Sequence, residues 1–92
     1  MQYFEWNAEK NERLKVERNV SFEEIVVAIE NRHVVDIVQH PNKELYPNQL
    51  IFYINIRDYI YAVPFVDDND KIFLKTIFPD RKATKKYLKG KR

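Results

Sequence analysis

Apolar and polar positions alternate along this chain with two different periods, and the period changes mark the predicted elements. Gln2 to Trp6 sets Tyr, Phe and Trp against polar neighbours, a short strand. Asn7 is a good N-cap, and Ala8-Glu9 opens a helix predicted to run to about Arg18 on a thin apolar stripe of Ala8 and Leu14. Asn19 tolerates the left-handed conformation and stops it. Ser21-Phe22-Glu23-Glu24 is a capping box, and Phe22, Ile25, Val26 and Ile29 follow at i, i+3, i+4 and i+7, one core-facing stripe of a second helix ending near Arg32. The period then falls to two. Val34–Val38, Leu50–Ile56, Tyr59–Val66 and Ile72–Phe78 read as strands, the last three forming an antiparallel meander with turns at Asn55–Asp58 and Asp67–Asp70. Pro64 cannot donate to a ladder, which places its part of the strand at an edge or a bulge. Pro79 breaks the last strand. Asp80 caps a C-terminal helix running to about Lys89, where Gly90 ends it.

The predicted order is β-α-α-β-β-β-β-α. That is an α+β domain spanning residues 1–92, with the helices expected on one face of an antiparallel sheet. Ninety-two residues suit one core. Within the last strand, Ile72, Leu74, Thr76 and Phe78 are expected to face the core, with Phe73, Lys75 and Ile77 on the open side.

Composition removes several functions. With no Cys there is neither a thiol nucleophile nor a cysteine metal site, and a single Gly leaves no glycine-rich phosphate loop. No apolar run approaches the roughly 20 residues a membrane span needs, and Met1 to Asn7 lacks the features of a signal peptide, so a cytoplasmic protein is expected. The net charge of +2 hides a split. Residues 1–36 and 37–70 each carry a net −3, whereas residues 71–92 hold nine basic groups and one acidic group, a net +8. Such a gradient points to an anionic partner, most often nucleic acid.

Candidate chemistry follows that gradient. Lys82, Lys85, Lys86 and Lys89 recur at i, i+3, i+4 and i+7 on one helical face, with Ala83, Thr84, Tyr87 and Leu88 turned to the sheet. Arg81 and Lys82 stand in the first turn, where positive charge opposes the helix dipole. Lys75 interrupts an apolar row in the preceding strand. His33 and His40 are seven residues apart with no accompanying ligand set, and the Asp67-Asp68-Asp70 turn lacks the Gly and Glu of a calcium loop, so no metal or cofactor is expected.

Two stretches carry a family resemblance. Phe4-Glu5-Trp6-Asn7-Ala8-Glu9-Lys10-Asn11, followed by Val20-Ser21-Phe22-Glu23-Glu24, is similar to the N-terminal half of the BrnT family. Arg81-Lys82-Ala83-Thr84-Lys85-Lys86-Tyr87 resembles its C-terminal signature. The chain departs from the family at Glu17-Arg18-Asn19, where Lys-His-Gly is usual, and at Phe78-Pro79-Asp80, where Ile-Ser-Ala is frequent, so it resembles a divergent branch. The resemblance implies a RelE-like fold and the toxin half of a type II toxin–antitoxin pair. Such a toxin is a metal-independent endoribonuclease that inhibits translation, acting on free or ribosome-bound RNA, and is neutralised by a DNA-binding antitoxin in a homodimeric or hetero-oligomeric assembly. Under it, Arg81 holds the scissile phosphate and Lys75 or Lys82 assists. The family pattern carries over onto Arg81 and Lys82, with Tyr87 matching it more weakly, and the proton carrier is one of Tyr87, Tyr61 and His40. Lys85, Lys86, Lys89 and Lys91 would bind flanking phosphates. The alternative reading is a non-catalytic RNA- or ribosome-binding module using the same basic helix.

Overall fold

The computed structural model describes residues 3–68 and 70–88. In chain order the elements are β1 (Tyr3–Glu5), α1 (Ala8–Arg18), α2 (Phe22–Glu30), β2 (Val34–Gln39), β3 (Gln49–Ile56), β4 (Tyr59–Asp68), β5 (Lys71–Leu74), β6 (Phe78–Pro79) and α3 (Arg81–Leu88). Lys89, Gly90 and Lys91, read from the sequence as a phosphate ligand, a helix stop and a second phosphate ligand, lie outside the described residues.

The helix ends are set by the residues expected to set them. The Asn7 side chain accepts from the Lys10 amide at 2.9 Å, and Asn19 closes α1 with φ 55° and ψ 37°. Ser21 Oγ accepts from the Glu24 amide at 3.1 Å. The Glu24 carboxylate does not serve the box; it pairs with Arg57 on the β3–β4 turn, whose guanidinium also donates to the Asn19 carbonyl. Asn11 joins the two helices: its carbonyl oxygen accepts from the Phe22 amide at 2.7 Å and its amide donates to Glu23 at 2.8 Å. This explains a fully buried polar residue on the thin stripe of α1, because an unpaired amide there would cost about 1–3 kcal/mol.

The sheet runs β1-β5-β4-β3-β2, with β6 also on β4. It is mixed, not antiparallel as expected, since β1 pairs in parallel with β5. The helices also lie on both faces rather than one. Leu14, Val20, Phe22, Ile25 and Ala28 of the α1–α2 arm pack with Phe52, Ile54, Ile56, Val63 and Phe65 in the main core. Tyr53 alternates with Phe52 and Ile54, so it points to the reverse face, where its ring meets Tyr87 of α3 at 5.8 Å. A thinner apolar layer of Ile51, Ile60, Ala62 and Ala83 is buried outside the main cluster.

The last predicted strand is broken. After Leu74 the chain leaves the ladder for Lys75–Ile77 and returns as β6, which pairs Phe78 with Ala62. The excursion reverses the faces. Ile77, expected on the open side, is fully buried in the main core, and Phe78, expected in the core, is half-buried beside Ala62. Pro64 is the physical reason. It lies in an interior strand, at a bulge rather than at an edge: one extra residue is absorbed between the Phe65–Leu74 and Ala62–Phe78 pairs, and the Pro64 carbonyl accepts from the Lys75 amide at 2.8 Å. A strand residue's nitrogen and carbonyl point to the same side, so the proline nitrogen faces the interruption between β5 and β6, where no donor is required.

Candidate nucleic-acid interface

Helix α3 is fixed to the sheet at its first turn and again near its end. Asp80 Oδ1 accepts from the Ala83 amide at 2.9 Å, which confirms the cap. The Asp80 amide donates to the Ile60 carbonyl, and Thr84 Oγ1 accepts from the Ile60 amide, both at 2.9 Å. Ala83 packs flat because it has little side chain. The second attachment is the Tyr87 hydroxyl, which donates to Asp36 Oδ2 at 2.5 Å across 51 residues of sequence.

Asp36 reaches that position through a bulge. Val34 lies opposite Ile54, yet Asp36 lies opposite Tyr53, so one extra residue, Val35, is absorbed between them. In a regular strand Asp36 would share the face of Val34, toward the main core. The bulge turns it to the α3 face, beside Tyr53 and under Tyr87. Its second oxygen accepts from the Ile37 amide at 2.8 Å.

Between α3 and β2–β3 runs a groove of about 280 Å³, lined by Val38, Tyr53, Asp80, Lys82, Ala83, Lys86 and Tyr87. Lys82 and Lys86, one turn apart, form its wall, and the Lys86 ammonium sits 5.2 Å from the Tyr87 ring centre. Among the described residues neither lysine is in an ion pair. Both carboxylates at the groove have local donors, Asp36 from Tyr87 and Ile37, Asp80 from Ala83. The titration behaviour follows from these contacts. The hydrogen bond to Asp36, then burial and the Asp36 charge, pushes the Tyr87 phenol up to about 12. The same hydrogen bond, helped by the Ile37 amide, holds the Asp36 carboxyl below its ordinary value. Burial, then the charges of Asp80 and Asp36, raises the Tyr53 phenol. Both phenols therefore keep their protons at neutral pH, and Tyr87 donates its own to Asp36.

The structure thus gathers three of the sequence candidates, Lys82, Lys86 and Tyr87, into one groove. Arg81 and Lys85 are exposed on α3 but do not line it. Lys75 is exposed over the Phe73 ring, 5.6 Å from its centre, and does not line the groove. Tyr61 packs against the main core and edge-on to Tyr59. His40 stands against Tyr46 with its Nδ1 accepting from the Asn42 amide. Neither Tyr61 nor His40 lines the groove either. Sequence reading misses Asp36, and offers Tyr53 only as one of five strand aromatics, with Phe52, Tyr59, Tyr61 and Phe65, that could stack on bases. A lone carboxylate in the apolar run Val34-Val35-Asp36-Ile37-Val38 was the available signal, but strict alternation assigns it to the wrong face. Among the described residues no group of three or more His, Asp or Glu side chains is placed to hold a metal ion. None of the described helices is long and apolar enough to cross a membrane.

Against known proteins, the chain matches no family model, no curated protein and no solved structure.

Proposed function

We propose that this chain is an RNA-acting toxin of the BrnT type, a metal-independent endoribonuclease that blocks translation and is neutralised by a DNA-binding antitoxin. The observation that carries the reading is Tyr87, hydrogen-bonded to Asp36 behind it, lining a groove walled by Lys82 and Lys86. Cleavage by the ribose 2′-oxygen forms a cyclic phosphate, expels the 5′-oxygen and builds negative charge on the phosphoryl oxygens. Two ammonium groups that form no ion pair among the described residues suit that charge. A phenol that stays protonated suits donation to the departing 5′-oxygen, with the 2′-proton passing to solvent. Asp36 orients that phenol. Arg81 is six residues before Tyr87, about 9 Å along the helix axis. It therefore fits a neighbouring phosphate better than the scissile one, and Lys82 and Lys86 take the role first given to it. Lys85 joins Arg81 on the flanking phosphates.

Induction of the chain in bacteria without an antitoxin should arrest growth, and purified protein should fragment bulk RNA or RNA on ribosomes. Tyr87→Phe and the double variant Lys82→Ala/Lys86→Ala should each abolish both effects while remaining folded. Wild-type induction with no effect on growth overturns the toxin reading. A second reading, a non-catalytic RNA or ribosome binder, needs only the exposed cations of α3, Arg81, Lys82, Lys85 and Lys86, and no proton carrier. Retention of RNA without fragments, on and off ribosomes, selects it.

A further inference from the structure

The groove has the dimensions and lining of a site for one unpaired nucleotide. Its volume of about 280 Å³ is at the small end of ligand sites and far below what a duplex would need. Val38 contributes an apolar surface to the lining. Tyr53, half-buried on the sheet, adds an aromatic ring to the lining. The wall is cationic, with Lys82 and Lys86 about 6 Å apart along the helix axis, the reach of one phosphodiester step. Aromatic floor and paired cations are the combination that holds a single strand, the ring stacking on a base and the lysines tracking its phosphates. In a duplex the base faces are already stacked, and Tyr53 would have nothing to receive.

We propose that this groove binds one unpaired nucleotide, its base on Tyr53 and Val38 and the phosphates on its two sides, the scissile one among them, on Lys82 and Lys86, so that the substrate is single-stranded. The inference rests on the RNA-facing reading of α3 but not on cleavage.

The test measures binding alone. A fluorescein-labelled 2′-O-methyl RNA strand, which has no free 2′-hydroxyl nucleophile, is titrated with the purified full chain by fluorescence anisotropy, free and then annealed to its complement. The free strand should bind at least tenfold tighter than the duplex. Tyr53→Leu should weaken single-strand binding about tenfold with little change in salt dependence, and Tyr53→Phe, which keeps the ring, should restore it. Circular dichroism of both variants separates lost stacking from lost folding. Equal affinity for strand and duplex, or a folded Tyr53→Leu variant with unchanged affinity, overturns the unpaired-nucleotide site and leaves the RNA reading standing. No binding to either form overturns both.

Discussion

Both oxygens of Asp36 are engaged, and each engagement acts on a different element. Oδ2 anchors the last turn of α3 through Tyr87. Oδ1 accepts from the amide of Ile37, a residue of the strand at the open edge of the sheet. Occupied edge donors are one way a sheet avoids pairing with other chains. The linkage to pH runs in two directions. Asp36 is depressed in the folded state, so its contribution is present above the ordinary aspartate range and is lost as pH falls through and below that range. Tyr87 is raised from 10 to about 12, so its contribution is complete below pH 10 and is lost between about pH 10 and 12. Tyrosinate absorbance during an alkaline titration checks this. One tyrosine should titrate near 12 in the wild type, vanish in Tyr87→Phe, and move toward 10 in Asp36→Asn. An Asp36→Asn profile identical to wild type would mean that the hydrogen bond is not what holds the phenol.

At the level of elements, the legible parts were those governed by local chemistry. Asn7, Asn19, Ser21 and Asp80 each act within three to five residues of themselves, and the helices start and stop where those residues require. The unread parts depend on contacts distant in sequence. Nothing local reveals that β1 would choose β5 as a parallel partner, or that a bulge at Val35 would turn Asp36 to the other face. The break at Lys75–Ile77 answers a proline eleven residues or more upstream. Half the candidate site was legible for the same reason: Lys82, Lys86 and Tyr87 share one short helix, whereas Asp36 and Tyr53 reach it only through the fold. The break also reverses the expected cost of substitutions. Ile77→Ala should lose about 2–5 kcal/mol, as for a buried aliphatic side chain, although alternation assigned Ile77 to the open face. Lys75→Ala, an exposed site two residues away, should stay within about 0.5 kcal/mol of wild type. Urea unfolding midpoints at constant slope distinguish them, and equal small losses would mean that the strand continues unbroken.

For the molecule as a whole, the sheet separates two working environments. The acidic α1–α2 arm covers the face with the main core, and α3 covers the other with a thin apolar layer and four cations in eight residues. The small contact under α3 is sufficient because backbone bonds from Ile60 and the Tyr87–Asp36 bond locate it, which leaves its outer surface free to stay charged. If that surface is what meets RNA, binding should release counterions in proportion to the phosphates it neutralises, about 0.7 in log–log slope per phosphate for a single strand. Replacing Lys82, Lys85, Lys86 or Arg81 by Ala should therefore weaken binding at low salt and flatten the salt dependence by roughly that amount each. Lys15→Ala is the control. Its ammonium lies on the acidic arm, 3.0 Å from Glu12, and its loss should leave both affinity and slope unchanged. A Lys15→Ala effect as large as that at α3 would mean a diffuse attraction of the whole surface. That outcome is hard to reconcile with residues 1–70 carrying a net −6, because RNA approaching the α1–α2 face would be repelled. The opposed signs of the two faces thus turn an ionic-strength series into a measure of which face binds.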